Sequence, residues 1–333
     1  GWPEVEVGLK EIEWMVGAML QAEDKFGVLL AEYFKLTPMG TIPTIATVVL
    51  FNRFGQLVNW KTVCKIISEH ETMDLNLSGK HALVCGASEG IGRAAAHELA
   101  LLGADVTVLA RRADTLQAVV DALPRNGQQR HGAVVADVSD TAGLRMAIDA
   151  LVAAHPVHIL VNNTSGPAGG PAHGATEDAL LDTFRKHLLA NHTLVQAALP
   201  GMRAARWGRI VNVISTSVRE PIPNLGVSNT IRGAVAGWAK TLSRELAIDG
   251  ITVNNVLPGY TETARLVQIL RDRAQASGQT EDAVAAGMRQ SVPAGRFAQP
   301  AEVAAAIAFL CAPAAAYING VSLAVDGGRM QSI

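Results

Sequence analysis

HALVCGASEGIGRAAAHELALLGADVTVLARR, residues 81–112, decides the fold. HALVC (81–85) is a short apolar run with the character of a buried strand. CGASEGIGR (85–93) sets three glycines directly after it, and GRAAAHELALLG (92–103) is rich in strong helix formers. DVTVLA (105–110) then returns to β-branched, apolar residues. Strand, glycine turn, helix and strand make one crossover unit of a parallel sheet. In that context Gly86 permits a tight turn, Gly90 lets backbone approach a diphosphate, and Gly92 lets the helix pack close on the strand. The opening of the helix at Ser88, Glu89, Gly90, Ile91 and Gly92 presents unpaired N–H groups and a partial positive charge to an anion.

The same alternation continues outward. GAVVA (132–136), VHILV (157–161), RIVNVI (209–214), ITVNNV (251–256) and VSLAV (321–325) are further near-continuous apolar runs. Runs of that kind suit strands covered on both faces. Alanine- and leucine-rich segments of helical length, such as PAEVAAAIAFLCA, lie between them. The pattern predicts an α/β fold: a Rossmann-like, doubly wound parallel sheet of about seven strands over residues 73–333. Met73 reads as its natural start.

Residues 1–72 differ, with more aromatics and no β-α alternation. They are expected to form a small helical appendage: one or two helices over 8–34, then helix, turn, helix over 36–70. That last stretch is faintly like half of a winged-helix module, but it lacks a basic recognition helix.

Composition narrows the function. With 49% apolar residues, 17% charged residues and a formal net charge of -2 over 333 residues, nothing points to nucleic acid or a membrane surface as partner. The apolar run TIPTIATVVLF (41–51) is too short to span a bilayer. The opening GWPEVEVGLKEIEW has no basic region ahead of an apolar core, so a cytoplasmic protein is expected. Cys64, Cys85 and Cys311 are far apart, show no metal-ligand spacing and read as buried, reduced thiols.

The G-x-x-x-G-x-G spacing resembles the short-chain dehydrogenase/reductase family. The resemblance covers residues 77 to about 330. It rests on CGASEGIG, ADV (136–138), NNTSG (162–166), Asn191 in LLANHT, GRIVNVIS ending at Ser215, LPGYTET (257–263) and VDGG (325–328), in that order. It implies a nicotinamide dinucleotide cofactor. Asp137 and Val138 would flank the adenine and Asn163 would lie near the adenosine ribose. Thr164, Pro258, Gly259, Thr261 and Thr263 complete the implied cofactor-binding set. At the end of the second strand, Ala110 is followed by Arg111 and Arg112 instead of a carboxylate. Two guanidinium groups there favour NADP(H) over NAD(H), because arginine matches a 2′-phosphate with charge-assisted bonds.

In the family an Asn organises water, a Ser orients the substrate oxygen, a Tyr carries the proton, and a Lys four residues on binds the nicotinamide ribose and lowers the Tyr pKa. Asn191 and Ser215 match the first two. The ungapped match of GAVAGWAKTLSRELA and ITVNNVLPG puts Ser228 at the tyrosine position and Arg232 at the lysine position. Arg232 also keeps a cation for the cofactor ribose. Three readings stay open: a carbonyl reductase with a relocated or water-mediated proton donor, a thioester C=C reductase, and an NADP(H)-binding pseudoenzyme. Tyr260, His187 and His192 are the candidate relocated donors.

The glycine- and proline-rich SGPAGGPAHGA (165–175) reads either as a substrate-pocket lining or as a surface loop. The segment 264–296 matches the family's mobile lid. Its arginines face either solvent or an anionic substrate such as an acyl-carrier or coenzyme A thioester. A small molecule or acyl thioester is thus the expected substrate. The final helix and strand resemble the family's subunit contacts, which implies a homodimer or homotetramer.

Overall fold

The computed structural model describes residues 73–332, together with a short antiparallel pairing of Leu50–Phe51 with Leu57–Val58. Those four residues are strand where helix, turn, helix is expected over 36–70. The rest of the helical reading of 1–72, and Cys64, lie outside the described residues. The sheet belongs to the unit Asp74–Ile333.

Strand β1 (His81–Cys85) is buried along its whole length. Its side chains alternate between two cores, as the two-residue period of a strand requires. Ala82 and Val84 join one apolar cluster, Leu83 and Cys85 the other. The remaining strands are β2 (Asp105–Ala110), β3 (Gly132–Val135), β4 (Ile159–Asn162), β5 (Gly208–Val213), β6 (Ile251–Pro258) and β7 (Ser322–Val325). All pair in parallel, in the order β3-β2-β1-β4-β5-β6-β7. The order reverses between β1 and β4, which opens a crevice at the carboxyl edge of the sheet.

Helices cover both faces. On one side α1 (Gly90–Leu101), α2 (Ala113–Ala122) and α9 (Pro300–Cys311) bury Leu99, Leu116, Val303 and Ile307. The small side chains Ala95, Ala96, Ala100 and Ala304 in that cluster let α1 and α9 approach closely. On the other side α3 (Thr141–Ala154), α5 (Ala190–Ala204) and α6 (Gly226–Leu246) bury Leu144, Ile148, Leu194, Met202 and Ala239. Each fully buried Leu or Ile contributes about 1.5–3 kcal/mol.

Two local features were not expected, the π turn and the fold of 165–175. Between α4 (Glu177–Phe184) and α5 the chain makes a π-helical turn at Arg185–Leu189. The segment 165–175 contains a 3-10 turn at Ala172–Gly174 and pairs Gly170 with Leu225 just before α6. The expected lid is two helices, α7 (Ala264–Ser277) and α8 (Glu281–Gln290). Gly278, at φ 69°, ends α7, and Thr280 accepts the N–H of Ala283 to start α8.

A polar ladder crosses the buried sheet. Asn162, Asn212, Asn255 and Ser322 stand in register on β4, β5, β6 and β7. Asn162 Nδ2 donates to Asn212 Oδ1 at 2.9 Å, and Asn212 Nδ2 donates to Asn255 Oδ1 at 3.0 Å. Asn255 Nδ2 then donates to Ser322 Oγ at 3.1 Å. Asn212→Ala removes the middle rung and leaves one donor and one acceptor unpaired inside the sheet. The expected loss is about 2–4 kcal/mol, read as a Tm lowered by about 5–10 °C. A melting curve that does not move would show that the ladder contributes nothing.

Candidate active site

The glycine turn is fixed by close approach. Gly86 sits at φ 59°, and a Cβ there would lie 2.5 Å from the Asn163 carbonyl oxygen. Asn163 Nδ2 donates to the carbonyls of Gly86 at 3.2 Å and Cys85 at 3.4 Å. Asn163 therefore clamps β4 to the turn after β1, a role its residue type alone did not reveal. A Cβ on Gly92 would run into the Gly86 carbonyl and lie 2.8 Å from Asn163 Nδ2. Gly90, at φ 58°, faces Thr263 from across the crevice. Glu89, at the N-cap of α1, makes no capping bond with its side chain. The first backbone N–H to bond back into the helix is that of Arg93, to the Glu89 carbonyl at 3.3 Å. The N–H groups of Gly90, Ile91 and Gly92 are thus left for an anion. These features fit a dinucleotide diphosphate.

The second strand separates the two arginines. Arg111 lines a cleft of about 440 Å³ with Val135, Ala136, Asp137, Asp140 and Gly143. Arg112 instead occupies the exposed N-cap position of α2. Asp137 accepts the Ser139 N–H at 2.8 Å and the Ser139 hydroxyl at 2.7 Å. Those two bonds, with Arg111 nearby, hold its carboxyl below the usual range. Val138 is half-buried and packs against the second core. Pro258 ends β6, and Gly259 lies so near Asp326 that a Cβ would sit 2.7 Å from its Cα. Thr261 and Thr263 brace the following turn with hydroxyl bonds to the carbonyls of Gly259 and Thr261, each at 3.3 Å.

The end of β5 and the start of α6 converge on one guanidinium. Ser228 and Arg232 lie one turn apart on α6, both buried. Arg232 Nε donates to Ser228 Oγ at 3.2 Å. Its Nη1 donates to the carbonyls of Val213 at 3.3 Å and Ile214 at 2.9 Å, next to Ser215. Burial, with Arg265 nearby, pulls the Arg232 pKa down to about 10, so it is still charged at neutral pH. Ser215 Oγ accepts the Ser217 N–H at 3.1 Å. Asn191 is buried on the first turn of α5, just after the π turn.

The candidate relocated donors fare differently. His187, on the π turn, is buried, and its Nδ1 lies 2.7 Å from Thr164 Oγ1. Burial and then the Arg232 charge push its pKa down to about 3, so it carries no imidazolium proton at neutral pH. His192 packs edge-on against Trp238, with ring centres 6.3 Å apart. Tyr260 packs edge-on against Phe297 at 6.1 Å, and the Arg329 guanidinium lies 4.6 Å from its ring centre. Its ring serves the apolar cluster that holds α7 and α8 together. Arg265, on the first turn of α7, is among the arginines of 264–296 read as facing either solvent or an anionic substrate. Its Nη2 donates to the Pro167 carbonyl at 2.7 Å. A further signal is its position: a cation at a helix N-terminus opposes the helix dipole.

A parallel sheet with a glycine turn after its first strand and a serine leaving its fifth defines a dinucleotide-binding α/β oxidoreductase. A family model described as Enoyl-(Acyl carrier protein) reductase matches residues 86–329. A 3-oxoacyl-(acyl-carrier-protein) reductase of Vibrio cholerae is 38% identical over 256 residues, 76% of this chain and 98% of the relative. The reductase of that name from Escherichia coli is 36% identical over 266 residues, again 76% and 98%. Among solved structures, L-sorbose reductase from Gluconobacter frateurii, complexed with NADPH and L-sorbose, superposes with a TM-score of 0.73 at 28% identity. It covers 78% of this chain and 100% of that one. An actinorhodin polyketide ketoreductase with NADPH gives 0.71 at 30% identity, over 76% and 98%. The chain belongs to the short-chain dehydrogenase/reductase family.

His187 makes a pH prediction. Its folded pKa lies below its unfolded value, so between about pH 6.5 and 3 the unfolded state binds the extra proton. Its contribution is intact above that window and is lost as pH falls through it. In the window, unfolding free energy should fall about 1.4 kcal/mol per pH unit more steeply than in His187→Gln, measured by denaturant titration at each pH. Parallel slopes for the two proteins would refute this.

Proposed function

We propose that the protein is an NADP(H)-dependent reductase acting on a ketone carbonyl. The observation that carries this reading is the pair of hydroxyls tied together through Arg232. Ser215 and Ser228 each accept a hydrogen bond already, from the Ser217 N–H and from Arg232 Nε. Each therefore has its O–H to donate. Arg232 links the two segments, because it also holds the Ile214 carbonyl beside Ser215. Two donors and one buried cation are the equipment needed to polarise a carbonyl and stabilise a developing oxyanion.

Gly86, Ser88, Glu89, Gly90, Ile91 and Gly92 would hold the diphosphate at the N-terminus of α1, and Arg111 would meet the 2′-phosphate. When bound, the reduced dinucleotide supplies a hydride equivalent to an electrophilic carbon. The chain supplies the rest. Ser215 orients the oxygen and Asn191 organises water. Ser228 relays a proton from solvent under the Arg232 charge. An aliphatic hydroxyl is a far weaker acid than a phenol, whose pKa is about 10. Without a positioned phenol, turnover should be slower by about a hundred- to ten-thousand-fold. The relatives named as oxoacyl reductases, ketoreductase and sugar reductase support carbonyl chemistry and NADP(H) use.

Fluorescence titration should show tighter binding of NADPH than NADH, with the preference reversed or erased in Arg111→Asp. Equal affinities in the unmodified protein would sink the cofactor assignment. Slow NADPH-dependent reduction of activated ketones should disappear in Ser215→Ala and rise when Ser228→Tyr and Arg232→Lys are combined. Turnover confined to conjugated C=C substrates would favour a C=C reductase. Tight NADPH binding with no turnover in either protein would favour a pseudoenzyme.

We also propose that residues 73–333 are sufficient for this activity. A chain starting at Met73 should be soluble and bind NADPH unaided. Loss of either property would place residues 1–72 within the folding unit.

A further inference from the structure

Arg232 and Arg265 present a second chemical problem. Arg232 is about nine-tenths buried, and the neighbour that most perturbs it after burial itself is another cation, Arg265. Neither guanidinium pairs with a carboxylate among the described residues. Burying an uncompensated charge is costly, and two like charges converging add repulsion. The two meet beside Gly166, where a Cβ would lie 3.4 Å from Arg232 Nη2 and 3.8 Å from Arg265 Nη2. Arg232 spends Nε and Nη1 on Ser228 and two strand carbonyls, while its Nη2 makes no hydrogen bond among the described residues. Arg265 is steered to the same place by its bond to Pro167. His187, which feels the Arg232 charge, is neutral and compensates neither arginine.

We propose that Arg232 and Arg265 form a clamp for a carboxylate, and that the substrate is a compact oxo acid whose carboxylate lies within a few bonds of the reacting ketone. This rests on the reductase reading above and adds the substrate class. Distance decides for a compact acid over a carrier thioester. Arg232 bonds directly to Ser228, one of the hydroxyls assigned to the carbonyl, so the anion sits next to the reacting carbon. An acyl-carrier or coenzyme A thioester carries its phosphates many bonds away and leaves the clamp unmatched. A carboxylate offers the two oxygens that guanidinium forks bind best. In the reaction the C=O π bond breaks, its carbon gains a hydride and its oxygen gains a proton. The nicotinamide is oxidised and the carboxylate is unchanged, giving a hydroxy acid. The clamp also links α6 to the first turn of α7, so the anion would draw the lid helix onto the site.

The test compares 3-oxobutanoate and 4-oxopentanoate with their methyl esters. With NADPH, the acid-to-ester ratio of kcat/KM should fall about ten- to a hundredfold in Arg265→Met, the loss of one charge-assisted contact. Arg265→Lys should retain part of it. Arg265 is the primary variant because Arg232 also ties two strand carbonyls together. Ligand-observed saturation-transfer NMR on the protein without cofactor gives an independent readout. The acids should give signals that the esters lack and that Arg265→Met loses. If acid and ester bind alike, or the ratio is unmoved in Arg265→Met, the clamp is wrong even where NADPH turnover stands. If Arg265→Met instead loses NADPH affinity and keeps its acid preference, the arginine serves the dinucleotide and the clamp is again wrong. If NADPH neither binds nor reacts but acid-selective, Arg265-dependent signals persist, the clamp stands and the reductase reading falls.

Discussion

The contact of Asn163 with the turn after β1 is the constraint on which the site depends. At this point the sheet order reverses, and the first strands of the two halves lie side by side. Asn163 leaves β4 and donates to the two carbonyls of the neighbouring turn. That bond sets how closely the turn lies to β4, and the spacing excludes any Cβ at Gly86 or Gly92. The start of α1, and the free N–H groups it presents, are positioned as a result. A longer side chain at 163 would displace the turn and the helix N-terminus together.

Arg232 plays the corresponding part on the other half of the crevice. Its partners are a hydroxyl and two carbonyls, all neutral. Such bonds orient a guanidinium well but do not neutralise it. In a low-dielectric setting the remaining charge projects strongly onto whatever occupies the space in front of it. Burial, and after it this charge, keep His187 unprotonated, and His187 in turn bonds Thr164. One buried cation thus orients a hydroxyl and adds to the effect of burial on a histidine.

The strands were legible because fully covered parallel strands are written as apolar runs. HALVC and DVTVLA match β1 and β2 residue for residue. Errors fall where a polar residue is buried. VHILV ends one residue short, because an asparagine such as Asn162 reads as a strand end. In the folded sheet Asn212 accepts from its Nδ2, and that depends on a register no local pattern reveals. The π turn was invisible for a similar reason, since RKHLL carries no marker that separates it from ordinary helix. That Ser228 and Arg232 share one helix face was legible from their spacing. What they do to each other was not, because hydrogen-bond partners are set by side-chain geometry.

That geometry explains why Ser228 and Arg232 belong together. Relative to a tyrosine and a lysine one turn apart, the serine is smaller and the arginine larger. Both sit in closed surroundings, at 8% and 9% exposure. A tyrosine at 228 beside the present guanidinium would overpack a site already filled by the fork. A lysine at 232 beside the present serine would leave space, and its single ammonium could not reach the hydroxyl and both carbonyls in one plane. Each residue is therefore accommodated by the other, and their effects on stability and chemistry should be strongly non-additive. The serine and the arginine thus act as one buried unit on a single helix face.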